Sequence, residues 1–458
     1  MNQKLEDYIR PGRRTHLVGI GGVSMASLAE VLKGEGVAVT GSDMRESGAV
    51  DRLRSLGIPV VIGHRGESVA GADCVIRTAA VHDDNSEIAA ALAAGVPVFE
   101  RAEAWGALMR RYQNALCVAG THGKTTTTSM CTHILLAAGR DPSVMLGGTL
   151  PILGGGHRVG RGDTIIAEAC EYRDSFLAFA PTVAVILNVE EDHLDYFKDL
   201  DAIKRSFRRF AELTLPSGSV IINADNAGAR SIAYGLDAFT FGLKEGAECT
   251  VANLHEEEGY PVFDILVHGQ RYTHAKLQVY GAHNVSNALA AASAAYVLKV
   301  PGEAVEEGLA SFTGAGRRFE RKGSYHGADV YDDYAHHPDE LRALLTMAKS
   351  RNYQRVVCAF QPHTYTRTAA LFASFAEVLQ LADAVVLAPI YAARETDTLG
   401  MSSEKLARCI PGAVCCEDLE SVTAKLAELA RPGDLILTVG AGDIHLAGEA
   451  LVKFGENQ

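Results

Sequence analysis

The chain has 458 residues and a formal net charge of −13, with 47% hydrophobic and 22% charged residues. This length predicts about three globular domains. The negative charge disfavours binding to nucleic acid or anionic membranes, and the chain lacks an apolar run of the roughly 20 residues that span a bilayer. Nine scattered cysteines without a C-x-x-C spacing, and a polar N-terminus without a signal-peptide core, favour a soluble, reduced, cytoplasmic protein.

The order of apolar runs predicts the fold class. Short runs rich in Val, Ile and Leu alternate with helical patterns, which is typical of parallel sheets with crossover helices. We expect an α/β protein of three domains, each around a mostly parallel sheet: Rossmann-like over residues 1–108, P-loop over 109–316 and Rossmann-like over 317–458. The predicted strands are Thr15–Ile20, Val37–Thr40, Pro59–Ile62, Cys74–Arg77, Val96–Phe99, Ala115–Ala119, Thr164–Ala167, Thr182–Asn188, Ser219–Asn223, Val330–Asp332, Arg355–Phe360, Ala384–Ala388 and Asp434–Val439, with β-hairpin material over Gly246–Gln278.

A glycine-rich turn follows the first predicted strand and opens a helix that is predicted to reach Lys33. Its sequence, GIGGVS, resembles a dinucleotide fingerprint, but the last position is Ser24 rather than Gly or Ala. Asp43 follows the second strand at about the spacing that reaches a ribose hydroxyl. These residues favour a nucleotide or nucleotide-sugar, and they leave NAD binding and a structural tight turn open.

The segment Gly120–Thr126, with the sequence GTHGKTT, lies between an apolar strand and a helix that is predicted to reach Ala138. In this context backbone amides turn onto phosphate oxygens, Lys124 reaches the terminal phosphates and the Thr125 hydroxyl ligates Mg²⁺. The match to G-x-x-x-x-G-K-[ST] is imperfect, because Val118 occupies the first glycine position. An ordinary strand-to-helix turn with a solvated lysine is the disfavoured alternative.

Carboxylates follow two buried strands of the middle domain. Glu168 ends one strand and His193 follows another, so both are expected at the edge of the sheet where the phosphate loop opens. They are plausible Mg²⁺ ligands, although a structural role for His193 is equally compatible with its position. The other acids of these segments are predicted to be solvated loop residues: Glu171, Glu190 and Glu191.

Four later segments carry polar groups. The amides of GAHNVSN (281–287) could contact a purine ring or cap the following helix. Adjacent arginines in GRRFE (316–320) suit bidentate phosphate contact, although such pairs are commonly surface features. YDDYAHHP (331–338) lacks the spacing of a zinc site. In FQPHTYTR (360–367), His363 and Arg367 are placed to meet an anion at the sheet edge.

Together these segments resemble the Mur ligase family across nearly the whole chain. The resemblance is carried by seven strings in the right order: GIGGVSM, GTHGKTTTTSM, NVEEDHLDYF, GAHNVSNALAA, GRRFE, YDDYAHHP and FQPHTYTRT. It implies ATP-dependent ligation of L-alanine to the carboxylate of UDP-N-acetylmuramate through an acyl phosphate, in peptidoglycan precursor synthesis. ATP and Mg²⁺ are the expected cofactors, and no nucleic-acid partner or membrane insertion is expected.

The resemblance also implies roles for individual residues. The first domain would hold the UDP part of the substrate through Gly21, Gly22, Ser24, Ser42 and Asp43, with Arg77–Ala80, and Arg77 and Thr78 in particular, near the sugar. The middle domain would bind ATP through Gly120, Thr121, His122, Gly123, Lys124, Thr125 and Thr126, with Asn284 and Asn287 near adenine and Mg²⁺ on Thr125, Glu168 and His193. Arg317 would contact the transferring phosphate, Asp333 the nucleotide, and the alanine and acyl intermediate would meet Tyr334, His336, His363 and Arg367.

The resemblance leaves some alternatives open. A related recycling ligase joins a tripeptide to UDP-N-acetylmuramate, and an NAD-dependent dehydrogenase or a non-catalytic nucleotide-regulated protein are more remote. Either His336 or His363 is a candidate base for the amine proton. The chain departs from the family at Ser24, usually glycine, and at Thr364, often arginine. Relatives that add later residues use a carbamylated lysine, which is not predicted here because the comparable stretch reads SFRR (206–209).

Overall fold

The computed structural model describes residues 4–78, 80–193, 196–214, 217–244, 246–393 and 395–456. These residues form three separate sheets, and the strands within each sheet are connected largely by helices. This confirms the predicted three-domain α/β class. The chain divides into two compact units between Thr313 and Gly314. The first unit contains the N-terminal and central sheets, and the second contains the C-terminal sheet.

The N-terminal sheet is parallel throughout. Its elements are β1 (Arg14–Val18), α1 (Val23–Gly34), β2 (Ala38–Asp43), α2 (Gly48–Ser55), β3 (Val60–Ile62), β4 (Cys74–Arg77), α3 (Ser86–Ala93), β5 (Val98–Glu100) and α4 (Arg101–Met109). The strand order is β3-β2-β1-β4-β5. The order therefore reverses between β1 and β4, and this switch point is where doubly wound sheets bind ligands.

The central sheet has ten strands. Its elements are β6 (Asn114–Ala119), α5 (Lys124–Ala137), β7 (Ser143–Leu150), β8 (Gly155–Arg158), β9 (Thr164–Ala169), β10 (Val183–Ile186), α6 (Leu200–Glu212), β11 (Ser219–Asn223), α7 (Ala227–Ala233), β12 (Ala238–Phe241), β13 (Cys249–Glu257), β14 (Tyr260–Val267), β15 (Gln270–Lys276), α8 (Ala282–Val297) and α9 (Gly302–Ser311). The order is β15-β14-β13-β12-β11-β10-β6-β9-β7-β8. The predicted hairpin material is the antiparallel run β13-β14-β15 at one end of this sheet.

The C-terminal sheet has six strands. Its elements are β16 (Glu320–Tyr325), β17 (Ala328–Asp333), α10 (Pro338–Lys349), β18 (Arg355–Phe360), α11 (Tyr365–Ala370), α12 (Phe372–Val378), β19 (Ala384–Leu387), α13 (Ser403–Ala407), β20 (Val414–Cys415), α14 (Leu419–Leu429), β21 (Asp434–Val439) and α15 (His445–Glu456). The order is β16-β17-β21-β18-β19-β20, in which only β16 runs antiparallel to its neighbour.

Each predicted strand has a counterpart, with some ends shifted by one to three residues. The strand predicted to reach Ile20 ends at Val18, because Gly19 turns the chain with a φ of +80°. Strands β7, β8, β12, β16 and β20 were not predicted. Several of these are short or rich in glycine and polar residues, so they lack the apolar run that signals a buried strand.

The N-terminal and central sheets share a hydrophobic core. Trp105 of α4 is 1% exposed and belongs to the same buried cluster as Met145 of β7 and Phe176. Gly106 lets α4 pack closely against the backbone of Ala178, since a Cβ on residue 106 would overlap the Ala178 carbonyl oxygen. The C-terminal sheet has its own buried clusters, so each of the two units has a hydrophobic core of its own. Within the described ranges, no helix is both long and apolar enough to cross a membrane.

Candidate active site

The phosphate loop Gly120–Thr126 follows β6 and leads into α5. Gly120 and Gly123 have φ values of +155° and +83°, which side-chain-bearing residues rarely adopt. A Cβ on Gly123 would also lie 2.7 Å from Asn287 Oδ1. Because the loop ends at the positive N-terminus of a helix, the geometry is that of an anion site.

The loop is braced by the segment that follows β10. The backbone N–H of His122 donates to Asn188 Oδ1 at 2.7 Å, and the N–H of Glu190 donates to Thr121 Oγ1 at 3.0 Å. Thr126 is half-buried in the first turn of α5. These bonds hold the loop in one conformation, so little reorganisation is needed when an anion binds.

Lys124 is held beneath the loop by oxygen atoms. Its Nζ donates to the carbonyl oxygens of Gly120 at 2.5 Å and Thr121 at 3.1 Å, and to Glu171 Oε2 at 3.0 Å. Burial opposes the charged ammonium, but the field of Glu171 outweighs it and raises the pKa of Lys124. The prediction that Glu171 is a solvated loop acid is wrong: Glu171 is 2% exposed and is the ionic partner of this lysine.

Glu168 lies at the end of β9, as predicted, and contacts the first turn of α5. It accepts hydrogen bonds from Thr125 Oγ1 at 2.9 Å and from the backbone N–H of Gly147 at 2.8 Å. A Cβ on Gly147 would lie 3.0 Å from Glu168 Oε1. Two of the three predicted metal ligands, Thr125 and Glu168, are therefore in direct contact.

His193, the third predicted ligand, belongs to a different group. Glu171, Asp192 and His193 each offer a ligand atom, and these atoms lie within 4.8 Å of one another. His193 Nε2 is 3.9 Å from Glu171 Oε1 and 3.7 Å from Asp192 Oδ2. Sequence reasoning missed Asp192, although its place beside His193 at a strand end was the available signal. Of the remaining acids, Glu190 accepts a bond from Asn226 Nδ2 at 3.0 Å while its side chain stays 41% exposed, and Glu191 is exposed, so both remain in contact with solvent as predicted.

Asn287 and Asn284 lie beside the loop, in the first turns of α8. Asn287 Oδ1 is 3.3 Å from Thr127 Oγ1, and its Nδ2 donates to Asn284 Oδ1 at 3.0 Å. Asn284 Nδ2 donates to the Tyr280 carbonyl oxygen at 2.7 Å. Asn287 is only 8% exposed, and its side chain connects the start of α5, after the phosphate loop, to the start of α8.

The N-terminal turn is closed by Asp43. The backbone N–H of Gly21 donates to Asp43 Oδ2 at 2.8 Å, and Gly22 is the N-cap residue of α1. Ser24, which was predicted near UDP, accepts a hydrogen bond from Trp105 Nε1 at 3.2 Å. Its hydroxyl is 3.8 Å from Met145 Sδ, so Ser24 joins the N-terminal and central domains.

Three further side chains that are predicted to contact the substrate have partners within the protein. Ser42 is fully buried and its Oγ lies 2.5 Å from Glu87 Oε2. Arg77 donates from Nε to Glu100 Oε1 at 2.8 Å and also pairs with Asp83. The Thr78 methyl group packs on the turn, 2.7 Å from where a Cβ on Gly19 would lie. Ala79, in the predicted sugar-binding stretch, lies outside the described residues.

Arg317 is occupied by its own domain. Its guanidinium donates to Asp332 Oδ2 at 2.8 Å and to the carbonyl oxygens of Gly442 at 2.8 Å and Gly440 at 2.5 Å. All three guanidinium nitrogens are therefore used to hold β17 and the loop after β21. This arrangement favours a structural role over the predicted phosphate contact.

The neighbouring Arg318 has longer contacts. Its side chain is 30% exposed, its NH1 lies 3.9 Å from Glu340 Oε1, and its guanidinium carbon is 5.3 Å from the centre of the Tyr334 ring. Asp333 accepts backbone hydrogen bonds from Phe319 at 2.7 Å and Ala335 at 2.8 Å. Burial raises the pKa of Asp333 to about 6, although the field of Arg318 opposes the rise.

The C-terminal sheet edge brings the predicted imidazoles together. The His336 and His363 rings are 6.0 Å apart, and Arg367 NH1 lies 3.4 Å from His363 Nδ1. Burial, followed by the fields of His336 and Arg367, lowers the pKa of His363 to about 4. Tyr391 was missed by sequence reasoning: its ring stacks on His363 at 5.6 Å, and no motif spacing links it to the FQPHTYTR segment.

A phosphate loop in the central domain, together with polar groups at the edges of all three sheets, is typical of multidomain α/β enzymes that bind nucleotides. Sequence profiles of three domains match: the Mur ligase family catalytic domain over residues 14–113, the Mur ligase middle domain over 118–295, and the Mur ligase glutamate ligase domain over 317–442.

Full-length relatives agree with these profiles. The chain is 44% identical to the UDP-N-acetylmuramate–L-alanine ligase of Caldanaerobacter subterraneus subsp. tengcongensis, covering 96% of this chain and 97% of the relative. It is 46% identical to the ligase of the same name from Lachnospira eligens, with the same coverage. The crystal structure of UDP-N-acetylmuramate-alanine ligase from Thermotoga maritima is similar with a TM-score of 0.80 and 30% identity, over 97% of this chain and 99% of that one. The chain belongs to the Mur ligase family.

Proposed function

We propose that this chain catalyses the ATP-dependent ligation of L-alanine to the carboxylate of UDP-N-acetylmuramate. The observation that carries the proposal is full-length similarity, at 44% and 46% identity, to ligases that bear this name. The phosphate-loop geometry agrees with it, since Lys124 and two strand-end carboxylates converge where a nucleotide phosphate would bind. The nine unpaired cysteines support a reduced, cytoplasmic setting.

The reaction begins when the substrate carboxylate attacks the γ-phosphate of ATP, which gives an acyl phosphate and ADP. Lys124 is positioned to move from Glu171 to the phosphate oxygens, and with the loop amides it stabilises the charge that develops there. The amine of L-alanine then attacks the acyl carbon and phosphate leaves. Water must be excluded, because it would hydrolyse the acyl phosphate.

The residues present fit Mg²⁺, which would neutralise charge on the phosphate oxygens when bound. Thr125 Oγ1 and Glu168 Oε2 are 2.9 Å apart and supply the hard oxygen donors that this ion prefers. Glu171, Asp192 and His193 form a second group that could hold a divalent ion. In both groups the carboxylates lie at strand ends beside the phosphate loop.

The C-terminal domain supplies the groups for the amino acid. His363 is neutral at pH 7, because its pKa is lowered to about 4. Its Nδ1 lies 3.4 Å from Arg367 NH1, and a guanidinium can only donate, so Nδ1 is the acceptor of the neutral ring and Nε2 carries the proton that can be donated to an oxygen of the amino acid. Arg367 is a suitable partner for the carboxylate of the amino acid. Arg318 is a better candidate than Arg317 for the transferring phosphate, since each nitrogen of the Arg317 guanidinium already donates to a group of its own domain.

The test is phosphate release by the purified protein with ATP, Mg²⁺, UDP-N-acetylmuramate and single amino acids. We expect release that depends on L-alanine, and its absence would refute the proposal; release that requires a preformed tripeptide would instead indicate a recycling ligase. Lys124→Ala should abolish turnover. Glu171→Gln should reduce kcat by at least about 100-fold, because one member of a buried charge pair is lost, whereas the exposed Glu191→Gln should not.

A further inference from the structure

The N-terminal sheet contains a buried polar cluster that no step above uses. Its members are contributed by three strands, or the turns after them, and by the first turn of α3: His16, Thr40, Ser42, His64 and Glu87. Glu87 is 0% exposed, although buried glutamates are uncommon without a cationic partner. In the described part of the chain, no lysine or arginine side chain pairs with it.

Glu87 is surrounded by hydrogen-bond donors. Its Oε2 lies 2.5 Å from Ser42 Oγ and 3.1 Å from His64 Nδ1, and its Oε1 accepts from the backbone N–H of Arg65 at 3.3 Å. His16 Nε2 lies further away, 3.6 Å from Oε1. Burial opposes ionisation, but the interactions with His16 and Ser42 outweigh it and lower the pKa of Glu87 to about 2.

The ionised carboxylate determines the tautomer of His64. A carboxylate can only accept hydrogen bonds, so an imidazole with one proton carries it on Nδ1, which lies 3.1 Å from Glu87 Oε2 and 3.0 Å from Ser42 Oγ. Nε2 is then a hydrogen-bond acceptor. The His64 side chain is 13% exposed, and among the described residues no partner of Nε2 is found.

The position of His64 corresponds to the base end of a bound nucleotide. In a doubly wound sheet the phosphates lie at the turn after the first strand and the ribose at the acidic residue after the second. Asp43 is that acidic residue, and the backbone N–H of Gly63 donates to its carbonyl oxygen at 2.8 Å. His64 is the next residue, beyond the end of β3, which is the next strand outward from β2.

We propose that Glu87 is a positioning residue that holds His64 with Nε2 as an acceptor, and that this acceptor selects a uracil base through its imide N–H. Uracil presents a donor at N3, whereas cytosine presents an acceptor at the same position, so a fixed acceptor on the protein distinguishes them. The inference deepens the proposed function, on which it rests, by naming how the nucleotide part of the substrate is read.

The test compares UDP and CDP as ligands of the full chain, by calorimetry and by inhibition against UDP-N-acetylmuramate. We expect wild-type protein to bind UDP at least about ten-fold more tightly than CDP, as one well-placed hydrogen bond allows. His64→Ala should remove the preference. Glu87→Gln should reduce the preference for UDP over CDP, because a carboxamide can pair with either tautomer of His64. The same variant should raise KM for the UDP-sugar with little change in KM for ATP. Glu87→Asp should restore part of the preference, and Glu67→Gln is the matched control at an exposed site in the same domain.

Two results would overturn the inference while leaving the ligase proposal intact. One is alanine-dependent phosphate release by a wild-type enzyme that binds UDP and CDP equally. The other is a Glu87→Gln variant with lowered thermal stability but an unchanged UDP-to-CDP ratio, which would make Glu87 purely structural. A wild-type protein that neither binds these nucleotides nor releases phosphate would overturn the proposed function as well.

Discussion

At the scale of single residues, two adjacent arginines differ sharply in their surroundings. Both guanidiniums lie over the Tyr334 ring, but Arg317 also bonds to Asp332 and to two backbone carbonyls, whereas the ionic contact of Arg318 with Glu340 is longer, at 3.9 Å. We expect Arg317→Ala to destabilise the C-terminal unit by about 3 kcal/mol, because the buried Asp332 loses its partner. Arg318→Ala should leave stability nearly unchanged and lower kcat by about 100-fold.

Thermal unfolding and steady-state phosphate release measure the two effects separately. Arg318→Lys is a useful further variant, since it retains the charge without the planar fork. If Arg317→Ala kept full stability and lost turnover, the division of roles between the two arginines would be reversed.

His363 provides a prediction about pH. Its pKa of about 4 lies below the ordinary 6.5, so the folded protein keeps the ring neutral where an unfolded chain would protonate it. Its contribution to stability is therefore complete above pH 6.5 and is lost as the pH falls from 6.5 towards 4. NMR titration of histidine-labelled protein should show one ring with a midpoint far below the others, and His363→Gln identifies it. A midpoint near 6.5 would contradict the burial of this ring.

At the scale of secondary-structure elements, strand β7 supports the carboxylate at the end of β9. Gly147 of β7 lies so close that a Cβ there would be 3.0 Å and 3.1 Å from the two Glu168 oxygens. We expect Gly147→Ala to push Glu168 off Thr125 and to raise the Mg²⁺ concentration for half-maximal activity by about ten-fold, with a small change in melting temperature. Gly155→Ala in β8 is the matched control, because a Cβ at that position would have no other atom within 4 Å among the described residues. Equal Mg²⁺ dependence in the two variants would argue against Glu168 as a metal ligand.

The strands also show which local sequence patterns are sufficient to predict the bounds of an element. The strands Ser219–Asn223, Arg355–Phe360 and Asp434–Val439 have the bounds that their apolar runs predict. Such runs are buried on both faces, so their composition alone identifies them. Strand β7, with the sequence SVMLGGTL, contains two consecutive glycines, because a Cβ on Gly147 would meet Glu168 and a Cβ on Gly148 would meet Thr125. That reason lies in distant residues, so no local pattern could reveal it.

At the scale of the whole molecule, the single tryptophan reports on one unit only. Trp105 lies in the core shared by the N-terminal and central domains, within the unit Met1–Thr313. We expect fluorescence to follow the unfolding of this unit, whereas far-UV circular dichroism follows both units, so the two transitions should differ. Adding UDP should raise the midpoint of the fluorescence transition and leave unchanged the part of the circular dichroism transition that comes from the C-terminal unit. Coincident transitions under both conditions would show that the two units unfold as one.

The sequence by itself determined the alternation of strands and helices, the phosphate loop, and the order of motifs that relates the chain to the Mur ligases. These are local features, set by side-chain periodicity, glycine conformation and residue spacing. The tertiary structure decided which partners the polar residues take: Glu171 with Lys124, Arg317 with its own domain, and Ser42 and His64 with Glu87. The physical reason is that a buried carboxylate or guanidinium pairs with whichever opposite charge or hydrogen-bonding group the fold brings within about 3 Å, since such interactions are strong where water is excluded. That neighbour is distant in the chain, so the local sequence does not identify it.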